Sequence, residues 1–265
     1  LNQAKKTEIS ILKEIDLHLK NLKGKKISSL YIGGGTPTLM NKTLLKSINL
    51  LKSVCTIDKI AIETNPQEIN EKVLNELEDM GCNLLSLGIQ DFNQKYLNFL
   101  KRNYDVKSAI NVIKQAKKRS FETINIDLIF AFPDQTFEEL DTSLKIAIQS
   151  EADQITLYPL FTFPYTSIGK IKNLKKVKLP NSRKRKKFYY HIYETLKSNG
   201  YRQISVWGFL KNDKTKYSSV TRDYYLGFGP SAATYTGKQF LFNSFSLEEY
   251  TNQIENSNYP FSLLM

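Results

Sequence analysis

The stretch Ile27-Ser-Ser-Leu-Tyr-Ile-Gly-Gly-Gly-Thr-Pro-Thr38 decides the fold. Its first six residues read as a strand, and three glycines follow directly at the strand's end. Glycines there let main chain approach a ligand closely and present N–H donors. Pro37 pins the exit turn. Upstream, residues 4–22 set Ile9, Leu12, Ile15, Leu19 and Leu22 at helical spacing. Downstream the same alternation continues. Helices are expected over 42–54, 68–80, 94–100, 106–118 and 136–150, and strands over 59–64, 84–89, 123–130 and 154–158. Asn65-Pro66, Gly81 and Pro133 act as stops, and Thr136 with Glu139 makes a capping box. Strands alternating with helices predict an α/β fold with a parallel sheet and crossover helices.

After Pro159 the pattern changes. A basic stretch leads to a helix near 181–198, short strands near 201–207 and 238–244, and a last helix near 246–256. The glycine-bearing segment between those strands reads as loop. Residues 1–160 are therefore expected to form the core and residues 161–265 an α+β extension closing its side.

In α/β folds, function gathers at the C-terminal strand ends. Here those ends are polar: Gly33 to Thr38, Glu63-Thr-Asn-Pro66, Gly88-Ile-Gln-Asp91, and Asn125-Ile-Asp127. Asp127 lies inside an otherwise apolar strand, which is costly unless it is paired or binds something. Each signal alone is ordinary; a triple glycine is usually a tight turn. Four consecutive strand ends, each bearing a polar group, would meet in one ligand pocket.

Composition bounds the rest. No stretch reaches the ~20 apolar residues of a membrane span, and no signal-peptide pattern is visible. Two cysteines, Cys55 and Cys82, exclude a disulfide scaffold and fit a reducing cytoplasm. Neither histidine sits in zinc-site spacing, and phosphate-loop, GxGxxG and GxSxG motifs are absent. Neither a metal ligand nor a catalytic side chain is assigned. Of the +12 net charge, much falls on Lys170, Lys172, Lys175, Lys176, Lys178, Arg183, Lys184, Arg185, Lys186 and Lys187. That run reads as a solvated loop and helix start. Nucleic-acid contact is the weaker reading, because the run lacks periodic aromatics for base stacking. The chain opens on Leu1 and ends on Leu263, Leu264 and Met265, which reads as a piece of a longer protein.

Taken in order, Tyr31-Ile-Gly-Gly-Gly-Thr-Pro-Thr38, Glu63-Thr-Asn-Pro66, Leu85-Ser-Leu-Gly-Ile-Gln-Asp-Phe92, Asn125-Ile-Asp-Leu-Ile-Phe-Ala-Phe-Pro133 and Leu226-Gly-Phe-Gly-Pro-Ser-Ala232 resemble the motifs of one family. This is the radical S-adenosylmethionine (SAM) group related to oxygen-independent coproporphyrinogen III oxidase, which includes heme chaperones and radical methyltransferases. The resemblance implies a partial (β/α)6 TIM-like barrel whose first strand and CxxxCxxC loop precede Leu1. It implies SAM and a [4Fe–4S] cluster with ligands outside this chain. Gly34, Gly35 and Thr36 would border the SAM amino group, and Glu63 would hydrogen-bond SAM. Gln90, Arg102 and Asp127 would hold ribose and carboxylate groups, and Phe161 and Ala233 would line the pocket. Arg222 reads first as a surface salt-bridge residue and second as a candidate for a substrate carboxylate. The implied activity is generation of a 5′-deoxyadenosyl radical acting on a tetrapyrrole, with an electron donor such as flavodoxin or ferredoxin. Heme delivery and radical methyl transfer are the alternatives. Without the cysteine loop, this stretch alone is expected to be inactive.

Overall fold

The computed structural model describes residues 3–161, 178–211, 213–218 and 223–264. In chain order the elements are α1 Gln3–Leu22, β1 Lys26–Ile27, β2 Leu30–Ile32, α2 Asn41–Lys52, β3 Thr56–Ile57, β4 Ile60–Thr64 and α3 Glu71–Asp79. There follow β5 Leu84–Gln90, α4 Gln94–Phe99, α5 Val106–Lys117, β6 Thr123–Phe130, α6 Phe137–Gln149, β7 Gln154–Pro159 and α7 Ser182–Ser198. The chain closes with β8 Tyr201–Gln203, β9 Gly208–Lys211, β10 Ala233–Tyr235, β11 Phe240–Asn243, α8 Leu247–Glu255 and β12 Phe261–Leu264. Two compact units interleave along the sequence: residues 1–31, 37–59 and 218–265 form one, residues 32–36 and 60–217 the other.

The larger unit is built on a seven-stranded sheet of order β2-β4-β5-β6-β7-β9-β8, entered by β2 at Ile32. It is an open sheet, as a partial barrel requires. From β4 to β7 the strands run parallel, each linked to the next by a helical crossover. The outward residues are continuously apolar: Ile60, Ile62, Leu85, Leu87, Ile124, Ile126, Leu128, Ile155 and Leu157 are all buried. Such runs mark strands covered by helices. Caps fix where those helices begin. Asn70, Asn93, Asp105 and Thr136 each accept a main-chain N–H of the first turn, and Thr136 with Glu139 completes the capping box. The opposite face is polar at its middle. Glu63, Ser86, Asn125 and Gln154 stand in one register row across four strands. Below that row Tyr217 packs on Ala61 and Leu84, and Thr123 Oγ1 donates to Thr215 O at 2.5 Å.

In the other unit α1 presents Ile11, Ile15, Leu19 and Leu22 to Leu51, Cys55 and Phe228. The i, i+4, i+8, i+11 spacing of these four is the amphipathic pattern. Glu14, on the same helix, is 1% exposed. It accepts hydrogen bonds from Gly229 N (2.7 Å), Asn243 Nδ2 (2.7 Å) and the Tyr250 hydroxyl (2.7 Å). Burial raises its pKa above the ordinary carboxylate range, and those three donors oppose the rise. A three-stranded antiparallel sheet, β10-β11-β12, completes the unit.

Several elements depart from the sequence expectation. The strand over 27–32 is two short strands, because β1 pairs with β3 while the chain bends at Ser28. The strand over 201–207 is a hairpin, β8 and β9, folded back by a turn in which the Ser205 hydroxyl accepts Gly208 N. Ala233–Tyr235, read as loop, is a strand recruited by cross-strand pairing with Phe240–Phe242. Residues 66–80 divide into a short 3-10 turn, Pro66–Glu68, and α3, because Asn70 caps a new helix. Of the basic run, Lys170, Lys172, Lys175 and Lys176 lie outside the described residues, as does Arg222.

Candidate cofactor-binding site

Five segments of the larger unit build the site. The turn after β2 comes first. Gly34 and Gly35 hold φ of 86° and 64°, the left-handed region that a side chain disfavours. No heavy atom lies within 4 Å of where a Cβ would stand at either residue. The glycines therefore serve backbone conformation and leave open space above the turn for a ligand.

The end of β4 clamps this turn. Glu63 Oε1 accepts the Gly34 N–H at 2.5 Å, and Asn65 Nδ2 donates to Thr36 Oγ1 at 3.2 Å. A carboxylate on a main-chain N–H is among the stronger hydrogen bonds available. Asn65 Oδ1 is buried with no hydrogen-bond partner among the described residues.

At the end of β5 the ladder to β6 slips. Leu87 pairs with Ile126 but Gln90 pairs with Leu128, so three residues span two. This bulge puts Gln90 at φ 69°, an uncommon state for a residue with a side chain. The Tyr104 hydroxyl pins it, lying 3.0 Å from both Gly88 O and Ile89 O. A Cβ at Gly88 would stand 2.7 Å from Gln90 Nε2 and would displace the end of that side chain. Directly beyond, Asp91 turns the opposite way into the helical layer. Ser143 Oγ and Asn93 N both donate to its Oδ1 at 2.7 Å, and burial pushes its pKa up to about 7.

Asp127 occupies the polar face of β6. Ser86 Oγ donates to its Oδ2 at 2.8 Å and Asn125 Nδ2 to its Oδ1 at 3.0 Å, and the Tyr158 hydroxyl also bonds it. Burial raises its pKa, the three hydrogen bonds oppose the rise, and the charge of Glu63 adds to it. Two acidic groups, from β4 and β6 on either side of β5, thus share one polar surface.

The structure brings Gly34 and Glu63 into contact, ties Thr36 to the same corner through Asn65, and joins Asp127 to the row that contains Glu63. Arg102 follows α4, its main chain donating to Leu97 O at 2.9 Å, and its Nε is buried without a hydrogen-bond partner among the described residues. Phe161 stands just past β7, 48% exposed. Ala233 opens β10 in the other unit. Sequence reasoning did not single out Ser86, Tyr104, Thr156 or Tyr158. For Ser86, Thr156 and Tyr158 the signal is a period-2 polar alternation, Ser86-Gly88-Gln90 and Gln154-Thr156-Tyr158, on strands whose remaining residues are apolar.

These groups fit SAM by type: acceptors for an ammonium and hydroxyls, an orphaned guanidinium N–H for a carboxylate, and open main chain at the glycines. They do not fit an iron–sulfur cluster. The chain holds two cysteines, short of three thiolates, and both are buried. Burial raises both thiol pKa values, that of Cys82 to about 12. Among the described residues no group of three His, Cys, Asp or Glu could hold a metal, and no helix is long and apolar enough to cross a membrane.

The radical SAM superfamily model matches residues 3–147. The heme chaperone HemW of Bacillus subtilis is 26% identical over 243 residues, covering 89% of this chain and 64% of that protein. The oxygen-independent coproporphyrinogen III oxidase of Escherichia coli is 28% identical over 251 residues, 88% of this chain and 55% of that protein. The solved structure of the E. coli coproporphyrinogen III oxidase HemN, described as a radical SAM enzyme, aligns with a TM-score of 0.87 at 25% identity. It covers 100% of this chain and 65% of HemN. The chain therefore spans between about half and two-thirds of the length of these relatives. Family match, open parallel sheet and strand-end polar groups agree: the chain belongs to the radical SAM superfamily, whose members use SAM and a [4Fe–4S] cluster.

Proposed function

We propose that this chain is the SAM-binding part of a longer radical SAM enzyme that acts on a tetrapyrrole. The observation that carries the reading is the acid pair on one polar face, Glu63 clamping the Gly34 turn and Asp127 held by three donors. Bound SAM would supply radical chemistry, the removal of a hydrogen atom from the substrate. This chain's residues bind and orient. Gly34 and Gly35 present main chain to the amino-acid moiety, with Thr36 beside them. Glu63 accepts from the ammonium. Gln90 and Asp127 hold hydroxyl groups, and the orphaned Nε makes Arg102 a partner for a carboxylate. Phe161 and Ala233 are assigned apolar lining. The three thiolates of the cluster belong to the remainder of the full-length protein, as does contact with a one-electron donor such as flavodoxin or ferredoxin. Two unpaired cysteines suit a reducing compartment such as the cytoplasm.

Oxidative decarboxylation of a porphyrinogen is supported by the 0.87 alignment with HemN. Heme binding and delivery without turnover is supported as well, by relatives named HemW. One experiment separates them. The full-length protein is reconstituted anaerobically with iron and sulfide, and dithionite and SAM are added. Formation of 5′-deoxyadenosine, lost in Glu63→Ala and Asp127→Ala, supports turnover. A loaded cluster that forms none removes the enzymatic reading, and heme titration then tests the other.

A further inference from the structure

The polar row on the sheet's inner face has a direction. At its start Tyr217 N donates to Gln154 Oε1 at 3.0 Å. A main-chain N–H can only donate, so this contact fixes which end of the Gln154 amide is oxygen. Gln154 Nε2 must then donate, and it reaches Tyr217 O at 3.0 Å and Thr156 Oγ1 at 3.3 Å. Having accepted from Gln154, the Thr156 hydroxyl points its hydrogen at Asn125 Oδ1, 2.7 Å away. That in turn fixes the Asn125 amide. Its two N–H groups go to Ser86 Oγ at 2.7 Å and Asp127 Oδ1 at 3.0 Å. Ser86, having accepted, donates to Asp127 Oδ2 at 2.8 Å. Apart from the return bond of Gln154 Nε2 to Tyr217 O, the hydrogen bonds from the Tyr217 main chain onward thus point toward one carboxylate.

The reverse arrangement is also chemically consistent. Were the Asn125 amide turned over, its oxygen would face Ser86 and Asp127. Two acceptors would then meet at Asp127 unless that carboxyl carried a proton. Ser86 and Asn125 are 0% exposed and Gln154 is 3% exposed, while Thr156 and Asp127 are half-buried. Chains of aligned hydrogen bonds in such surroundings reinforce one another. The titratable groups facing Asp127 are Glu63 from β4, which opposes ionisation, and Tyr158 from β7, which donates to it.

We propose that Gln154 and Thr156 are positioning residues that hold Asp127 ionised and acceptor-only toward the ligand, an inference that rests on reading Asp127 as part of the SAM site. Neither residue needs to touch the ligand. Their effect passes through the orientation of one buried amide.

The test uses the full-length protein with carbon-13 at its aspartate carboxyls, the Asp127 signal being assigned from Asp127→Asn. Thr156→Val keeps the β-branched shape of the strand and removes the hydroxyl, and Thr156→Ser restores it. The Asp127 titration midpoint is expected to rise by about one pH unit in Thr156→Val, the size of one hydrogen bond to a charged group. Thr156→Ser is expected to match wild type, and the acid limb of SAM binding to move with the carboxyl. Gln154→Glu, whose carboxylate draws the Thr156 hydroxyl away from Asn125, should move the midpoint the same way. An unmoved midpoint in Thr156→Val overturns the inference, even where SAM affinity falls uniformly across pH. A midpoint that moves in a protein binding no SAM preserves the relay and removes the functional reading on which its purpose rests.

Discussion

Asp91 gives a sharp test of the energetics at the site's edge. Its carboxyl is 1% exposed and its pKa is pushed up from 3.8 to about 7, with burial the largest cause. Between those two values the folded protein keeps a proton that the unfolded chain has released. Stability is therefore greatest at the acid end of the window, falls as pH rises to about 7, and stays level above it. A rise of about three units at 1.36 kcal/mol per unit makes that loss about 4 kcal/mol. The Asp91→Asn variant carries no charge to bury, and its side-chain oxygen keeps the 2.7 Å acceptor contacts with Ser143 and Asn93. It should match wild type in stability near pH 4 and exceed it near pH 8 by a few kcal/mol. The measurement is the urea midpoint of both proteins at fixed pH values across that range. A difference that stays constant with pH would refute the argument, because it would mean Asp91 is ionised throughout.

Three further outcomes are expected. Gly34→Ala should fold, since nothing crowds its Cβ, but the left-handed backbone costs about 1–2 kcal/mol; SAM affinity by equilibrium dialysis should fall at least about tenfold, and wild-type affinity would count against the turn's role. Tyr104→Phe removes the donor from Gly88 O and Ile89 O, lowering stability by about 1 kcal/mol and raising amide exchange at the bulge; unchanged protection there would mean the hydroxyl pins nothing. Glu14→Ala strands three buried donors and should cost about 3–5 kcal/mol in chemical denaturation; a loss below about 1 kcal/mol would show that water reaches the site.

Strand and helix order along residues 4–159 was legible because the apolar runs and their stops are local. The site was legible only where a residue type was out of place. Asp127 stood out as a charge in an apolar strand, and Gly33 to Gly35 as a run. Ser86 and Thr156 did not, since small polar residues occur in any strand. What makes them one surface is the register Glu63–Ser86–Asn125–Gln154, set by three separate strand pairings that no single stretch encodes. The hairpin at 201–211 and the strand at Ala233–Tyr235 were obscured for the same reason: cross-strand partners decide them, overriding weak local propensity. Arg102 was chosen by resemblance, and only its buried, unpartnered Nε gives that choice a physical basis.

The partners of Glu14 have a bearing on how the chain is born. They stand 215 to 236 residues downstream of it. At about 5–20 residues per second on a ribosome, α1 waits roughly 10–50 seconds before Tyr250 has been made. Residues 60–217, a contiguous stretch, are complete earlier. Throughout that interval Glu14 is an unsatisfied acid, while the apolar stripe of α1 already has Leu51 and Cys55 to pack on. The acid of α1 is thus secured late, which makes Glu14 a sensitive point for any substitution that slows synthesis downstream.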